Sequence, residues 1–245
     1  MRSLWAEVPL IPTVLYRLLT SNRGSSSVCL AEALAGIHTN QLWAERSVGL
    51  RCSIDLCGKH PISAVEVGTW YALGSTPLLV ENLPDGSSLT CIDNYSPTEG
   101  TEGSSTRMKL FASRAQSHAQ SQVTKFKSIR PSVKVSVVAK EAKHALAEFA
   151  DSSLDFIYLD GSHFFSDLSS EIQISLQKLR KGGVLCGDDL EVTPTPDLLR
   201  ECEPQREVDV IFLRSGQCVH PGVLCAVGQH LKGVVVDNGH WRYLK

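Results

Sequence analysis

The sequence has no excess of one charge: 24 Lys and Arg stand against 26 Asp and Glu, for a net charge of −2. A dedicated nucleic-acid binder carries a basic surplus gathered on one face. The nearest approach is Lys125, Lys127, Arg130 and Lys134 at a helix-to-strand junction, which reads as solvated surface, so no nucleic-acid partner is expected. Long apolar runs are missing too. None approaches the ~20 residues that cross a bilayer as a helix, so no membrane partner is expected either. Glu7, Pro9 and Pro12 interrupt what would be the apolar part of a secretion leader, so the expected location is cytoplasmic. A Gly-x-Gly-x-x-Gly dinucleotide fingerprint is absent. Cys52, Cys57 and His60 lack the second ligand pair of a structural zinc site. Of the eight cysteines, Cys91, Cys186 and Cys225 fall on predicted core positions, where Cys acts as a small buried hydrophobe.

What is present suits a sizeable α/β fold. The chain has 245 residues, 42% of them hydrophobic and 20% charged, enough for one large domain with an appendage. Residues 1–61 contain two helix-forming runs, 31–35 and 41–46, and no chemical motif. This segment reads as a helical cap or oligomerisation arm, which would make the chain a homo-oligomer. From residue 62 to 245 strands alternate with helices. Strands are predicted at 63–67, 88–93, 133–138, 154–159 and 184–186, with helices at 76–83, 107–129 and 142–149. Leu168, Ile172, Leu176 and Leu179 form a further helical stripe, stopped by Gly182-Gly183, and residues 94–106 form a long polar loop. A helix over 220–231 precedes Asn238-Gly239, a hairpin turn between β-branched and aromatic runs. The predicted fold class is α/β: a Rossmann-like doubly wound sheet, mostly parallel, with a C-terminal antiparallel hairpin.

Chemistry gathers at strand ends. Glu66-Val-Gly68-Thr69-Trp70 leads through Gly74-Ser75-Thr76 into a helix. There a glycine permits close backbone approach and free N–H groups face a ligand. Asp93 ends the next strand, 25 residues beyond Gly68, the distance at which an acid bonds the ribose hydroxyls of an adenosine cofactor. The apolar run from Asp155 delivers Asp160 and His163 at its carboxyl end, and Asp188-Asp189 follows 28 positions after Asp160. In a parallel sheet adjacent carboxyl ends line one crevice. Three carboxylates and a histidine there suggest a divalent cation with a base beside it.

These motifs resemble class I S-adenosylmethionine-dependent methyltransferases over residues 62–245. Asp160-Gly-x-His163 with the paired acids, and His220-Pro-Gly-Val-x-x-Ala-Val, are similar to the magnesium-dependent sugar O-methyltransferases of the macrocin type. The resemblance implies that Glu66, Gly68, Thr69, Trp70, Gly74 and Ser75 hold the methionine end of S-adenosylmethionine. It further implies that Asp93 holds the ribose, that Glu141 and Ala142 border the adenine, and that Asp160 adjoins the cofactor. Asp160, Asp188 and Asp189 would bind Mg²⁺, and His163, with Asp160, would be catalytic, His163 as the general base. Trp70 and Ala72 stand where many members carry glycine, and Lys140-Glu141-Ala142 replaces a Gly-Asp-Ser-like turn.

The chemistry is coherent in itself. A hydroxyl is a poor nucleophile near pH 7; a cation stabilises the developing alkoxide and a histidine, with unperturbed pKa near ~6.5, accepts the proton. The expected substrate is a small hydroxylated metabolite, such as a sugar. Three alternatives stay open: a metal-independent class I methyltransferase, a nucleotide-cofactor Rossmann oxidoreductase, and a non-catalytic methyltransferase-like binding protein.

Overall fold

A computed structural model describes residues 44–96 and 106–245. The helix-forming run at 31–35, the rest of the arm before residue 44, and positions 97–105 of the polar loop lie outside the described residues. In chain order the elements are α1 (Ala44–Asp55), β1 (Ser63–Val67), α2 (Ser75–Asn82), β2 (Ser88–Asp93), α3 (Thr106–Ile129), β3 (Lys134–Ala139), α4 (Ala142–Ala147), β4 (Leu154–Leu159) and α5 (Phe165–Lys178). After these come β5 (Leu179–Leu190), α6 (Pro196–Cys202), β6 (Ile211–Phe212), β7 (Cys218–Val219), α7 (Pro221–His230), β8 (Val235–Asp237) and β9 (Gly239–Leu244).

Seven strands form one sheet in the order β3-β2-β1-β4-β5-β9-β8. The first five run parallel, and β9 is antiparallel to both β5 and β8. The strand order reverses between β1 and β4, the switch point where ligands bind in open α/β sheets. β4 is buried along its whole length, as a central strand covered on both faces must be. Its side chains alternate between two cores. Phe156 and Tyr158 join Leu50 and Ile54 of α1 and Leu78 and Leu79 of α2, whereas Ile157 and Leu159 join Leu168 and Ile172 of α5 and Val223 and Val227 of α7. Helix α1 therefore packs into the sheet's core, although it lies within the span whose sequence reads as an arm.

The C-terminal hairpin turns at Asn238 and Gly239, with φ of 51° and 90°, the left-handed pair that two-residue hairpins require. Trp241 of β9 is fully buried, and its Nε1–H donates to the carbonyl of Asp188 at 3.1 Å, fixing the end of β5. Leu179 departs from the sequence reading. It opens β5 opposite Leu154 instead of closing the helical stripe, because its backbone is already extended and β5 begins there through a bulge. Gly182 and Gly183 thus lie within β5. Helix α6 and the β6–β7 ribbon form an insert between β5 and α7 that periodicity did not suggest.

Candidate active site

Gly68 begins the site, because the turn after β1 depends on it. Its φ is +91°, and a Cβ there would fall 1.7 Å from the carbonyl oxygen of Asp160, so β1 and β4 meet backbone to backbone. Asp160 N–H closes the contact by donating to Val67 O at 2.9 Å. Trp70 and Ala72 also adopt positive φ, 47° and 56°. Both positions thus hold the conformation that favours glycine with bulkier side chains in place.

Glu66 supports this turn from beneath. Its carboxylate is fully buried and accepts from Ser75 Oγ at 2.5 Å, Thr76 Oγ1 at 2.8 Å and Thr69 Oγ1 at 3.4 Å. Burial raises its pKa above the usual carboxylate range, against the pull of those hydroxyl hydrogen bonds. Gly74 caps α2 without a side-chain bond, which leaves the first N–H groups of that helix to other partners.

Asp93 closes the neighbouring strand. Its Oδ2 accepts from Trp70 N–H at 2.7 Å and its Oδ1 from Tyr95 N–H at 2.6 Å, tying the β1 turn to the end of β2. Burial raises its pKa in spite of both bonds. A carboxylate has about four lone-pair sites, so two remain for further donors. The Tyr95 hydroxyl nearby is buried without a hydrogen-bond partner among the described residues. Glu141 caps α4 at the end of β3, where its side chain is exposed and faces Lys143 at 3.4 Å and His144 at 3.3 Å. Ala142 opens the helix beside it, and Lys140 N–H donates to Asp93 O at 3.1 Å, which places this turn along the same sheet edge.

The acidic cluster lies at the ends of β4 and β5. Asp160, Asp188 and Asp189 each bring a carboxylate oxygen within 4.8 Å of the others. Tyr158 Oη donates to Asp160 Oδ2 at 3.2 Å. Burial, then the charges of Asp188 and Asp189, push Asp160 well above its ordinary pKa. Burial and Asp189 push Asp188 up to about 7, with Arg46 opposing. Asp189 moves the other way. Burial would raise it, but the hydrogen bond and charge of His163 outweigh burial and hold it below the carboxylate range.

Two cations meet this cluster. Arg46 of α1 donates from Nη1 to Asp188 Oδ2 at 2.7 Å and to Asp189 Oδ1 at 3.1 Å. His163 bridges two acids, with Nε2 3.0 Å from Asp189 Oδ2 and Nδ1 2.7 Å from Asp209 Oδ1. Burial works against its charge, yet those two carboxylates raise its pKa to about 10. His220 packs edge-on against His163 with ring centroids 4.4 Å apart, and its Nδ1 lies 2.7 Å from Glu191 Oε1.

The structure therefore brings together Gly68, Thr69, Trp70, Ser75 and Asp93 around one turn, and Asp160, His163, Asp188 and Asp189 around one cluster. Sequence reasoning missed Arg46, Glu191, Asp209 and Tyr95, and His220 entered only as part of a motif. No helix among the described residues is long and apolar enough to cross a membrane.

Comparison with known proteins agrees with this geometry. Residues 65–190, just over half of the chain, match the profile of a family described as a methyltransferase domain. The chain belongs to that family. It is a class I S-adenosylmethionine-dependent methyltransferase. The sheet order and the antiparallel β9 are those of a Rossmann-like methyltransferase. Among solved structures, the methyltransferase shares its fold with an O-methyltransferase from Bacillus cereus in complex with SAH. The two are 14% identical over 98% of this chain and 100% of that one, with a TM-score of 0.51. A protein from Corynebacterium glutamicum is likewise 14% identical over 96% of both chains, with a TM-score of 0.51. A cofactor-bound protein from MTB is 16% identical over 96% of this chain and 95% of that one, with a TM-score of 0.50. No curated protein matches the methyltransferase in sequence.

Proposed function

We propose that this methyltransferase transfers the sulfonium methyl group of S-adenosylmethionine to a hydroxyl of a small metabolite, a sugar ring being the favoured class. In this reading a Mg²⁺ ion is held by Asp160, Asp188 and Asp189. One observation carries the metal: Asp188 Oδ1 is buried with no hydrogen-bond partner among the described residues, and one carboxylate oxygen each of Asp160, Asp188 and Asp189 lies within 4.8 Å of the other two. A buried acceptor of that kind is costly unless a donor or cation completes it. The donor set is all oxygen, which suits a hard cation that keeps several waters. When bound, such an ion stabilises the negative charge that develops on an alcohol oxygen.

The chain's own residues do the rest. Asp93 and the turn from Glu66 to Ser75 hold and orient the cofactor, with Glu141 and Ala142 at the edge nearest the adenine. Asp209 anchors His163 at Nδ1 and directs Nε2 into the cluster. His163 then receives the hydroxyl proton at Nε2. It is charged beside Asp189 and Asp209, so it works as a base only once its own proton has been passed on. The shared fold with a protein named an O-methyltransferase supports the class of acceptor.

A second reading has its own observation. Arg46 already sets a guanidinium against Asp188 and Asp189, so the same transfer could proceed with Arg46 as the resident cation and no metal.

The test is titration calorimetry with S-adenosylmethionine on the wild type and on Asp93→Ala, followed by methyl transfer to a panel of hydroxylated metabolites with Mg²⁺ or excess EDTA. Binding that Asp93→Ala abolishes, with turnover lost on chelation, is the expected result. Undiminished turnover in EDTA selects the Arg46 reading. No binding of S-adenosylmethionine by the wild type sinks both.

A further inference from the structure

We propose that His163, His220 and Asp189 form a second cation site, which shares Asp189 with the oxygen cluster and suits a transition-metal ion such as Zn²⁺ or Co²⁺. When filled it occupies the His163 Nε2 that otherwise accepts the substrate proton, so the two roles alternate. One donor atom of each residue lies within 4.8 Å of the other two. Two imidazoles and one carboxylate form a donor set that favours zinc and its neighbours in the first transition row over Mg²⁺.

What distinguishes this trio from a chance gathering is the support behind each ring. His163 Nδ1 is 2.7 Å from Asp209 Oδ1, and His220 Nδ1 is 2.7 Å from Glu191 Oε1. Glu191 also accepts the His220 backbone N–H at 3.2 Å through its other oxygen, so ring and main chain are gripped together. A carboxylate on Nδ1 fixes the tautomer in which the Nε2 lone pair is free, the arrangement that orients metal-binding histidines. Both rings have it. Each Nδ1 being engaged, Nε2 is the nitrogen left to each histidine for a metal.

Asp189 is placed to serve this side without leaving the other. Its backbone is left-handed at φ 62°, an uncommon conformation for a residue with a side chain. Its Oδ1 faces Arg46 at 3.1 Å, whereas its Oδ2 faces His163 Nε2 at 3.0 Å. With metal–ligand bonds of about 2.0–2.1 Å, neighbouring donors around a tetrahedral ion stand roughly 3.3 Å apart. The Oδ2–Nε2 pair is therefore a few tenths of an ångström from that spacing.

The backbone enforces the approach of the two histidines. A Cβ on Gly222, at the start of α7, would fall 2.2 Å from the carbonyl oxygen of His163 and 2.6 Å from that of Arg206. Phe165 N–H donates to the same Arg206 carbonyl at 3.1 Å, locking the loop after β4 onto the insert. Only glycine lets α7 bring His220 against His163. Three protein donors leave one tetrahedral position open, as in metal sites that bind water or a ligand.

The test is titration of the full-length chain with Co²⁺, followed by its visible absorption, and of the same chain with Zn²⁺ by calorimetry. The wild type should develop the intense bands of tetrahedral, nitrogen-ligated Co²⁺ at one equivalent. His220→Ala should lose them, and Glu191→Gln, which keeps the ring but frees it, should weaken binding by about 10- to 100-fold. Asp160→Asn, on the oxygen side, should leave the spectrum unchanged. Circular dichroism and thermal unfolding of each variant separate loss of ligand from loss of fold. Weak octahedral bands in the wild type would overturn the site, and so would tetrahedral bands that persist in folded His220→Ala. If His220→Ala cannot fold, an unchanged spectrum in Glu191→Gln overturns it instead.

Discussion

Arg46 Nη1 lies 2.7 Å from Asp188 Oδ2, a contact between residues 142 positions apart. It joins α1, a helix without any chemical motif, to the acidic pair that ends β5. Both partners are largely shielded, with side chains 19% and 5% exposed. The guanidinium thus stands among the carboxylates where a divalent cation would do the same electrostatic work.

That contact makes stability and metal binding depend on one another. Removing one partner of a shielded ion pair leaves a charge buried without compensation, at a cost on the order of 3 kcal/mol. Arg46→Ala should therefore unfold at lower temperature than the wild type in EDTA. Millimolar Mg²⁺ should restore much of the loss, because an ion bound only by the folded state stabilises it. Thermal unfolding of both proteins, with and without Mg²⁺, measures this. An Arg46→Ala melting temperature no more responsive to Mg²⁺ than that of the wild type would refute the shared seat.

Gly68 offers a harsher perturbation. An added Cβ would lie 1.7 Å from a backbone oxygen, which cannot swing aside as a flexible side chain could. The positive φ adds roughly 1–2 kcal/mol of its own. Gly68→Ala should cost at least that much in denaturant unfolding and should abolish S-adenosylmethionine binding in whatever fraction remains folded. A variant that binds the cofactor normally would show that β1 and β4 can separate without harm to the site.

Ala72 should respond in the opposite sense. Ala→Gly usually costs about 0.5–1 kcal/mol through the entropy of the unfolded chain. At φ 56°, however, glycine relieves strain that alanine carries, so Ala72→Gly should be neutral or stabilising by up to about 1 kcal/mol. Urea unfolding decides it, and a clear loss of stability would mean that the buried methyl packs well enough to outweigh its backbone.

The contrast between Gly68 and Arg46 shows what the sequence made legible. Strands 63–67, 88–93 and 154–159 were readable to the residue, because short apolar runs bounded by turns leave few alternatives. The stripe from Leu168 to Leu176 was readable as a helix for the same reason of period. Site residues at strand ends followed from topology, since a parallel sheet gathers its carboxyl ends at one edge. Arg46 and Asp209 followed from nothing local. Each reaches its partner through tertiary packing, across 142 positions for Arg46 and Asp188 and 46 for His163 and Asp209. The β6–β7 ribbon, two residues per strand, is too short to show any period.

Glu171 sets a pH dependence away from the site. It lies buried on α5, where Oε2 has no hydrogen-bond partner among the described residues. Burial, with some help from Asp167 and against Lys143, raises its pKa to about 8. An unfolded glutamate ionises near ~4.3. Between those values the folded state retains a proton that the unfolded state has lost, so stability from this group is full below about pH 4, falls as pH rises, and levels off above about 8. Glu171→Gln keeps the shape and removes the titration. Its stability relative to the wild type should therefore increase from acid to mildly alkaline pH by on the order of a few kcal/mol, given ~1.4 kcal/mol per pKa unit. Urea unfolding of both proteins at several pH values across this window is the measurement. Parallel curves would mean that Glu171 is ionised in the folded state and finds a partner, Lys143 being the cation whose charge acts on it.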